Sequence, residues 1–213
     1  MVTFERFTFN PYQENTYLII NDDKECIIID PGMYNTSEQQ SLYEYITKHD
    51  LTPKLLLNTH CHIDHVLGNN FIYEQWGLKP LFHENEVPIL IAVENYAPQM
   101  GIRYDKSPIS ENFIKDKQII AFGRTNIEAI LAPGHSPGHL CYYLKDQNIL
   151  IGGDVLFKNS IGRTDLPGGD HQTLLNSIKN KIYTLPDNTK VLPGHGDNTL
   201  IAFEKKTNPF IKG

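Results

Sequence analysis

Four times in this chain a short apolar run breaks off, and histidine or aspartate follows within a few residues. Leu55–Leu57 leads into Asn58-Thr59-His60-Cys61-His62-Ile63-Asp64-His65, and Ile127–Leu131 leads into Ala132-Pro133-Gly134-His135. Ile149–Ile151 leads into Gly152-Gly153-Asp154, and Lys190–Leu192 into Pro193-Gly194-His195. Short apolar runs bounded by turn residues read as buried strands. Proteins of the α/β class place their ligands beyond the carboxyl ends of such strands. Four strand ends that each deliver a donor restrict the chain to a fold that gathers them. The glycine before His135, Asp154 and His195 lets backbone approach what those side chains hold.

Further runs, Tyr17–Ile20, Cys26–Ile29 and Leu140–Leu144, read as strands too, with Asn21-Asp22-Asp23 as a hairpin turn. Helical patterns are interleaved. Ser37 with Gln40 reads as a capping box ahead of Leu42, Tyr45, Ile46 and His49. A second helix is expected from Asp64 to Trp76 on Leu67, Phe71, Ile72 and Trp76, with Gly77 as its stop. A third is expected over Thr173–Tyr183, on Leu174, Leu175, Ile178 and Ile182. Strands alternating with helices imply sheets covered by helices. The two halves share the sequence strand, polar loop, helix, although residue matching shows no repeat. With no linker or low-complexity tract in 213 residues, a single domain is expected.

The densest chemistry lies between His60 and His65. His60 and His62 are two apart, so in extended chain their side chains point the same way and reach one metal. Asp64 and His65 fall where the helix begins, so they can face a different point. One segment can then serve two metals. Imidazole and carboxylate donors suit zinc, and also iron or manganese. Cys61 sits between two donors, so its side chain is expected to point away and to be structural. A lone histidine is most often a satisfied polar residue, but four donors in six positions are a different case. His135, Asp154 and His195 gain weight from their shared strand-end context. His49, His83, His139 and His171 read as non-ligands, with His139 and His171 the nearest to a supporting role.

Net charge excludes some functions. At −6 the chain lacks the basic surface that nucleic acid demands. No apolar run approaches the roughly 20 residues that span a bilayer, and the start carries no basic-then-apolar signal pattern. The three cysteines form no CxxC pair and are an awkward number for a disulfide framework. A cytoplasmic, reducing setting is expected.

Thr59-His60-Cys61-His62-Ile63-Asp64-His65, followed in order by His135, Asp154 and His195, resembles the metallo-β-lactamase superfamily. The resemblance runs from Asn10-Pro11-Tyr12-Gln13-Glu14-Asn15 to Thr207-Asn208-Pro209-Phe210. Ile161-Gly162-Arg163-Thr164-Asp165 and Gly168-Gly169-Asp170 resemble its short glyoxalase II-like (hydroxyacylglutathione hydrolase-like) branch. It implies an α/β fold: a four-layer αβ/βα sandwich of two mixed β-sheets with helices on the outer faces. It also implies that His60, His62 and His135 hold one metal, that Asp64, His65 and His195 hold a second, and that Asp154 bridges them. Asp30 in Ile29-Asp30-Pro31-Gly32 matches a position from which a carboxylate orients a ligand histidine, or it is a plain turn aspartate.

The expected cofactor is a pair of divalent ions, zinc foremost. The expected activity is hydrolysis of a small thioester or thiol conjugate, with a hydroxide shared by the two metals as nucleophile and Asp64 helping to orient it. Only 18 residues follow His195, too few for the C-terminal helical domain with which glyoxalase II holds glutathione. The segment from Glu86 to Lys117, with Tyr96, Met100, Tyr104 and Phe113, is either a substrate wall or ordinary packing. A mononuclear iron persulfide dioxygenase is the rival enzyme, on the Gly162-Arg163-Thr164-Asp165 match. A β-lactamase is disfavoured, because Asp154 stands where those enzymes typically carry cysteine. A non-enzymatic metal module is disfavoured because structural zinc sites are usually closed and cysteine-rich.

Overall fold

The structure is a computed structural model that describes residues 2–213. The chain divides after Phe113 into two compact units.

The first unit holds a five-stranded mixed sheet of β1 (Thr3–Phe9), β2 (Glu14–Ile20), β3 (Glu25–Ile29), β4 (Thr52–Leu57) and β5 (Pro80–Leu81), paired in that order. β1, β2 and β3 are antiparallel, whereas β3, β4 and β5 run parallel. The β2–β3 turn forms as expected, because Asn21 Oδ1 accepts the N–H groups of Asp23 and Glu25. Helix α1 (Thr36–Lys48) puts Leu42 and Ile46 against Phe9, Leu18, Ile28, Leu56 and Ile72.

Its start differs from the expected one. Asn35 is the cap, with its side chain accepting from Glu38 N–H, and the Glu38 carboxylate reaches back to Tyr34 N–H. That reciprocal pair outcompetes Ser37 and Gln40, and Ser37 lies inside the first turn.

The expected helix from Asp64 to Trp76 is two helices, α2 (Ile63–Val66) and α3 (Asn69–Trp76). The break falls at Gly68, whose N–H goes to Pro31 O at 2.7 Å. Gly77 ends α3 in the left-handed conformation, as expected. Helix α4 (Val87–Tyr96) buries Leu90 and Val93 with Cys61, Ile63, Val66, Leu67 and Phe82.

The second unit holds a six-stranded sheet. Its strands are β6 (Ile119–Phe122), β7 (Thr125–Leu131), β8 (Leu140–Leu144), β9 (Ile149–Gly153), β12 (Lys190–Pro193) and β13 (Thr199–Leu200). The spatial order is β13-β12-β9-β8-β7-β6. A small hairpin, β10 (Leu156–Phe157) with β11 (Ser160–Ile161), stands apart from it. The pairing of β12 with β9 is parallel and the rest antiparallel.

Helix α5 (His171–Ser177) continues as a wider π turn over Ile178–Ile182, together spanning most of the expected third helix. Its Leu174, Ile178 and Ile182 pack on Cys141, Tyr143, Leu150 and Val191, and Ile201 of α6 (Ile201–Thr207) joins them. All seven strand runs read from the sequence are strands. Unread were β1, whose mixed polar residues hide the period of two, and β5, β6, β10, β11 and β13, which are too short to show one. Among the described residues no helix is long and apolar enough to cross a membrane.

Candidate metal centre

Parallel pairing decides where the donors emerge. In the first unit Ile29 of β3 lies opposite Leu57 of β4, so both strands end at one edge. There Asp30 N–H donates to Leu57 O. The Asp30 carboxylate accepts Thr59 N–H at 2.7 Å, the Thr59 hydroxyl at 2.6 Å and His65 Nδ1 at 3.1 Å. Asp30 adopts φ +50°, a left-handed conformation sparsely used outside glycine. Strain of this kind persists where surrounding contacts over-determine it, and Asp30 has three such contacts on its side chain.

These partners assign the histidine tautomers. A carboxylate facing His65 Nδ1 accepts, so Nδ1 carries the proton and Nε2 keeps its lone pair, 3.7 Å from Asp64 Oδ2. The single proton of the Thr59 hydroxyl is committed to Asp30. Its oxygen, 3.0 Å from His60 Nδ1, therefore accepts from that nitrogen, and His60 Nε2 keeps its lone pair. The His60 ring lies 4.7 Å from that of His62 and 4.1 Å from that of His65, centroid to centroid. Asp30, His60 and His65 also bring donor atoms within 4.8 Å of one another. Asp30 lies on the Nδ1 side of both rings, so we read it as the group behind the ligands, the role the resemblance implied.

The second unit repeats the logic. Pro193 of β12 pairs beside Gly153 of β9, and Gly194 N–H donates to Gly153 O at 2.8 Å. Asp154 and His195 thus leave neighbouring strands side by side. Asp154 Oδ2 lies 3.5 Å from His135 Nε2 and 3.5 Å from His195 Nε2. Two donors about 2.0–2.2 Å from a shared tetrahedral ion stand roughly 3.4 Å apart, so this spacing suits a metal on either side of one oxygen. His135 Nδ1 lies 2.8 Å from Arg163 O, a pure acceptor, which again frees Nε2 for a metal. Gly162 is required beside it: a Cβ there would overlap the Asp154 carbonyl and come within 3.1 Å of His135 Nδ1. The Arg163 side chain turns outward to the Asp165 carboxylate, 2.7 Å away, and its guanidinium holds that carboxyl down to about 2.

All seven expected ligands border these strand ends, His60, His62, Asp64 and His65 in one unit and His135, Asp154 and His195 in the other. Of the other histidines, His49 packs at a tilt against Tyr45, His83 caps the turn at Asn85, and His171 is exposed. His139 is the exception: its Nε2 accepts Asp154 N–H at 3.0 Å. Cys61 is fully buried in the apolar cluster around α4, away from the imidazoles, as expected. Burial pushes its thiol well up, and the Glu86 and Asp30 carboxylates add to the effect.

Sequence reasoning missed several positioning groups. Asn10 Nδ2 donates to Gly32 O and Asp64 O, and Asn58 Nδ2 donates to His65 O. Buried Glu14 lies 3.9 Å from His65 Nδ1, and burial raises its carboxyl well above the usual range. None of these carries a spacing signal, because their partners are backbone atoms or residues distant in the chain. Of the segment read as either substrate wall or ordinary packing, Phe113 packs on Phe82 and Tyr104 accepts Ser107 N–H, which is the packing alternative. Tyr96 reaches furthest, hydrogen-bonding to the backbone of Ile63 beside Asp64, whose charge adds to the burial that raises its phenol.

A family model described as the metallo-beta-lactamase superfamily matches residues 9–195. This chain belongs to the metallo-β-lactamase superfamily. Among curated relatives of this superfamily member, a probable metallo-hydrolase, YqgX of Bacillus subtilis, is 39% identical over 99% of this chain and 98% of its own. The hydroxyacylglutathione hydrolase GloC of Haemophilus influenzae is 36% identical over 94% of this chain and 93% of its own. These relatives agree with a short glyoxalase II-like branch. Among solved structures, the BLEG-1 B3 metallo-β-lactamase superposes with a TM-score of 0.90 at 36% identity, covering 99% of this chain and 100% of that one. TTHA1623, solved in a di-iron-bound form, superposes with a TM-score of 0.86 at 33% identity, over 97% and 100%. The likeness to BLEG-1 shows the metallo-β-lactamase α/β sandwich fold that the sequence resemblance implied. As a member of the superfamily the chain is a metallo-hydrolase by class.

Proposed function

We propose that the two units form one catalytic domain, a binuclear metal-dependent hydrolase of small thioesters of the S-acylglutathione kind. One observation carries the reading: Asp154 Oδ2 stands 3.5 Å from an imidazole of each expected metal set, and His135 presents its unprotonated Nε2. His60, His62 and His135 would hold one ion, Asp64, His65 and His195 the other, and Asp154 both. Two divalent ions bound there would supply Lewis acidity for a carbonyl and lower the pKa of a bound water towards neutrality.

The chain's own residues set the geometry. Asp30 fixes His65 directly and His60 through Thr59, while His139 holds the Asp154 backbone. Asp64 keeps its carboxylate 15% exposed, where it can accept a hydrogen bond from the attacking water. The Cys61 thiol is buried with a raised pKa, so it supplies no thiolate nucleophile. Thioesters fit such a site because the leaving thiolate is stable without a proton donor. The GloC likeness supports that substrate class, and the TTHA1623 likeness supports two metals.

The test assays the protein with its native metal against S-lactoylglutathione and other thioesters, lactones, phosphoesters and a chromogenic cephalosporin. Oxygen uptake with glutathione persulfide is measured in parallel. Thioester hydrolysis with two metals per chain, lost on chelation and restored by metal, is the expected result. Full activity in a verified metal-free sample would sink the proposal. So would β-lactam turnover without thioester turnover, or oxygen uptake with one iron per chain.

A further inference from the structure

Glu86 stands 25 residues beyond Cys61 in the chain, yet its Oε2 accepts the Cys61 N–H at 2.8 Å. Both residues are fully buried. β4 ends at Leu57 and α2 begins at Ile63, so the chain between them lies outside regular helix and sheet. A buried N–H in such a stretch needs an acceptor, and here a carboxylate supplies it. On the other side of His60, Thr59 N–H goes to the Asp30 carboxylate at 2.7 Å. His60 is therefore flanked by two peptide N–H groups, each held by a buried carboxylate from a different part of the fold. The Cys61 peptides also join His60 to His62, so their orientation sets the angle between the two rings.

We propose that Glu86 is a positioning residue for the metal centre: by holding the Cys61 peptide it fixes the relative aim of His60 and His62. This rests on the assignment of those histidines to one metal in the proposed function. The carboxylate is built on firm ground. It closes a short 3₁₀ turn, Glu84–Glu86, whose Asn85 N–H is capped by His83 Nδ1. Helix α4 follows directly and is anchored by Leu90 and Val93 in the same apolar cluster as Cys61. Without that acceptor the peptide can rotate, and its rotation changes the aim of both rings.

The experiment compares wild type with Glu86→Ala, Glu86→Gln and the exposed control Glu84→Gln. Fold is checked by near-UV circular dichroism. Amide hydrogen exchange at Cys61 is read in chelator-treated protein, and zinc affinity at each equivalent by competition with a chromophoric chelator. Expected for Glu86→Ala is Cys61 exchange at least about tenfold faster, with affinity for one zinc equivalent falling about 10–100-fold, the usual cost of losing a group behind a ligand. The other equivalent and the Glu84→Gln protein stay at wild type. Glu86→Gln, which keeps one oxygen acceptor but can also turn its NH₂ to the peptide, falls between.

A purely structural role would lower stability and leave the ratio of the two zinc affinities unchanged. That result overturns the proposal, as does affinity within twofold of wild type in folded Glu86→Gln. Should Glu86→Ala fail to fold, Glu86→Gln decides; failure of both to fold makes Glu86 a folding residue and also overturns it. A wild type that binds two zinc ions but cleaves no thioester refutes the proposed function alone, because the affinity readout still stands.

Discussion

Asp30 is the residue whose replacement tests the proton arrangement of the centre most directly. In Asp30→Ala three donors lose their acceptor: Thr59 N–H, the Thr59 hydroxyl and His65 Nδ1–H. Thr59 and His65 are fully buried, and Asp30 is 2% exposed, so bulk water does not reach them. The hydroxyl can rotate to another partner, which leaves two orphaned donors at about 1–3 kcal/mol each. A loss of roughly 4 kcal/mol follows, a large part of the roughly 5–15 kcal/mol that holds a domain folded. At a urea slope of about 2 kcal/mol/M the midpoint should fall by about 2 M.

Asp30→Asn separates stability from metal binding. Its amide oxygen still accepts Thr59 N–H, but its NH₂ now faces the Thr59 oxygen and His65 Nδ1. Thr59 must then donate to His60 Nδ1, and both histidines move their proton to Nε2, the atom the metal needs. Zinc affinity should fall about 10–100-fold with a smaller loss of stability than in the alanine variant. Urea unfolding in chelator and competition for zinc read the two effects. Wild-type zinc affinity in Asp30→Asn, or less than about 1 kcal/mol lost in Asp30→Ala, would refute the reasoning.

Four further expectations follow from the structure. Gly162→Ala drives a Cβ into the Asp154 carbonyl and against His135, all of it poorly yielding structure, and should cut metal-dependent activity at least about tenfold with a lowered Tm. Gly101→Ala, left-handed at φ +70° but in open space, should cost about 1–2 kcal/mol and leave activity intact. His139→Ala removes the acceptor of Asp154 N–H and should lower activity, whereas His171→Ala, at an exposed helix start, should not; steady-state kinetics on both compares like with like. All three cysteines are buried and none is in a disulfide, and burial pushes Cys26 up to about 12, so a thiol reagent at pH 8 should label none in the native protein and three in denaturant.

The sequence by itself determined what is periodic or contiguous. Leu140–Leu144 is β8 to the residue, and the helix stop at Gly77 lay in the chain because only a glycine takes that conformation cheaply. The proposed donors His60, His62, Asp64 and His65 stand out by their spacing, and His135, Asp154 and His195 by a strand and a glycine before each. The tertiary structure decided what depends on distant partners. It split the expected helix at Gly68, because Pro31 O claims that N–H, and it moved the α1 cap to Asn35 once Glu38 found Tyr34.

It also decided the chemistry of each imidazole. The Nδ1 proton of His65 is set by Asp30, 35 positions earlier, and that of His135 by a carbonyl at Arg163, 28 positions later. Parallel pairing of β3 with β4 brings Asp30 to the edge that Thr59 and His65 follow, and parallel pairing of β9 with β12 brings Asp154 beside His195. Spacing along the chain encodes which residues can donate. Which of their nitrogens holds the lone pair is an electrostatic property of neighbours that only folding assembles.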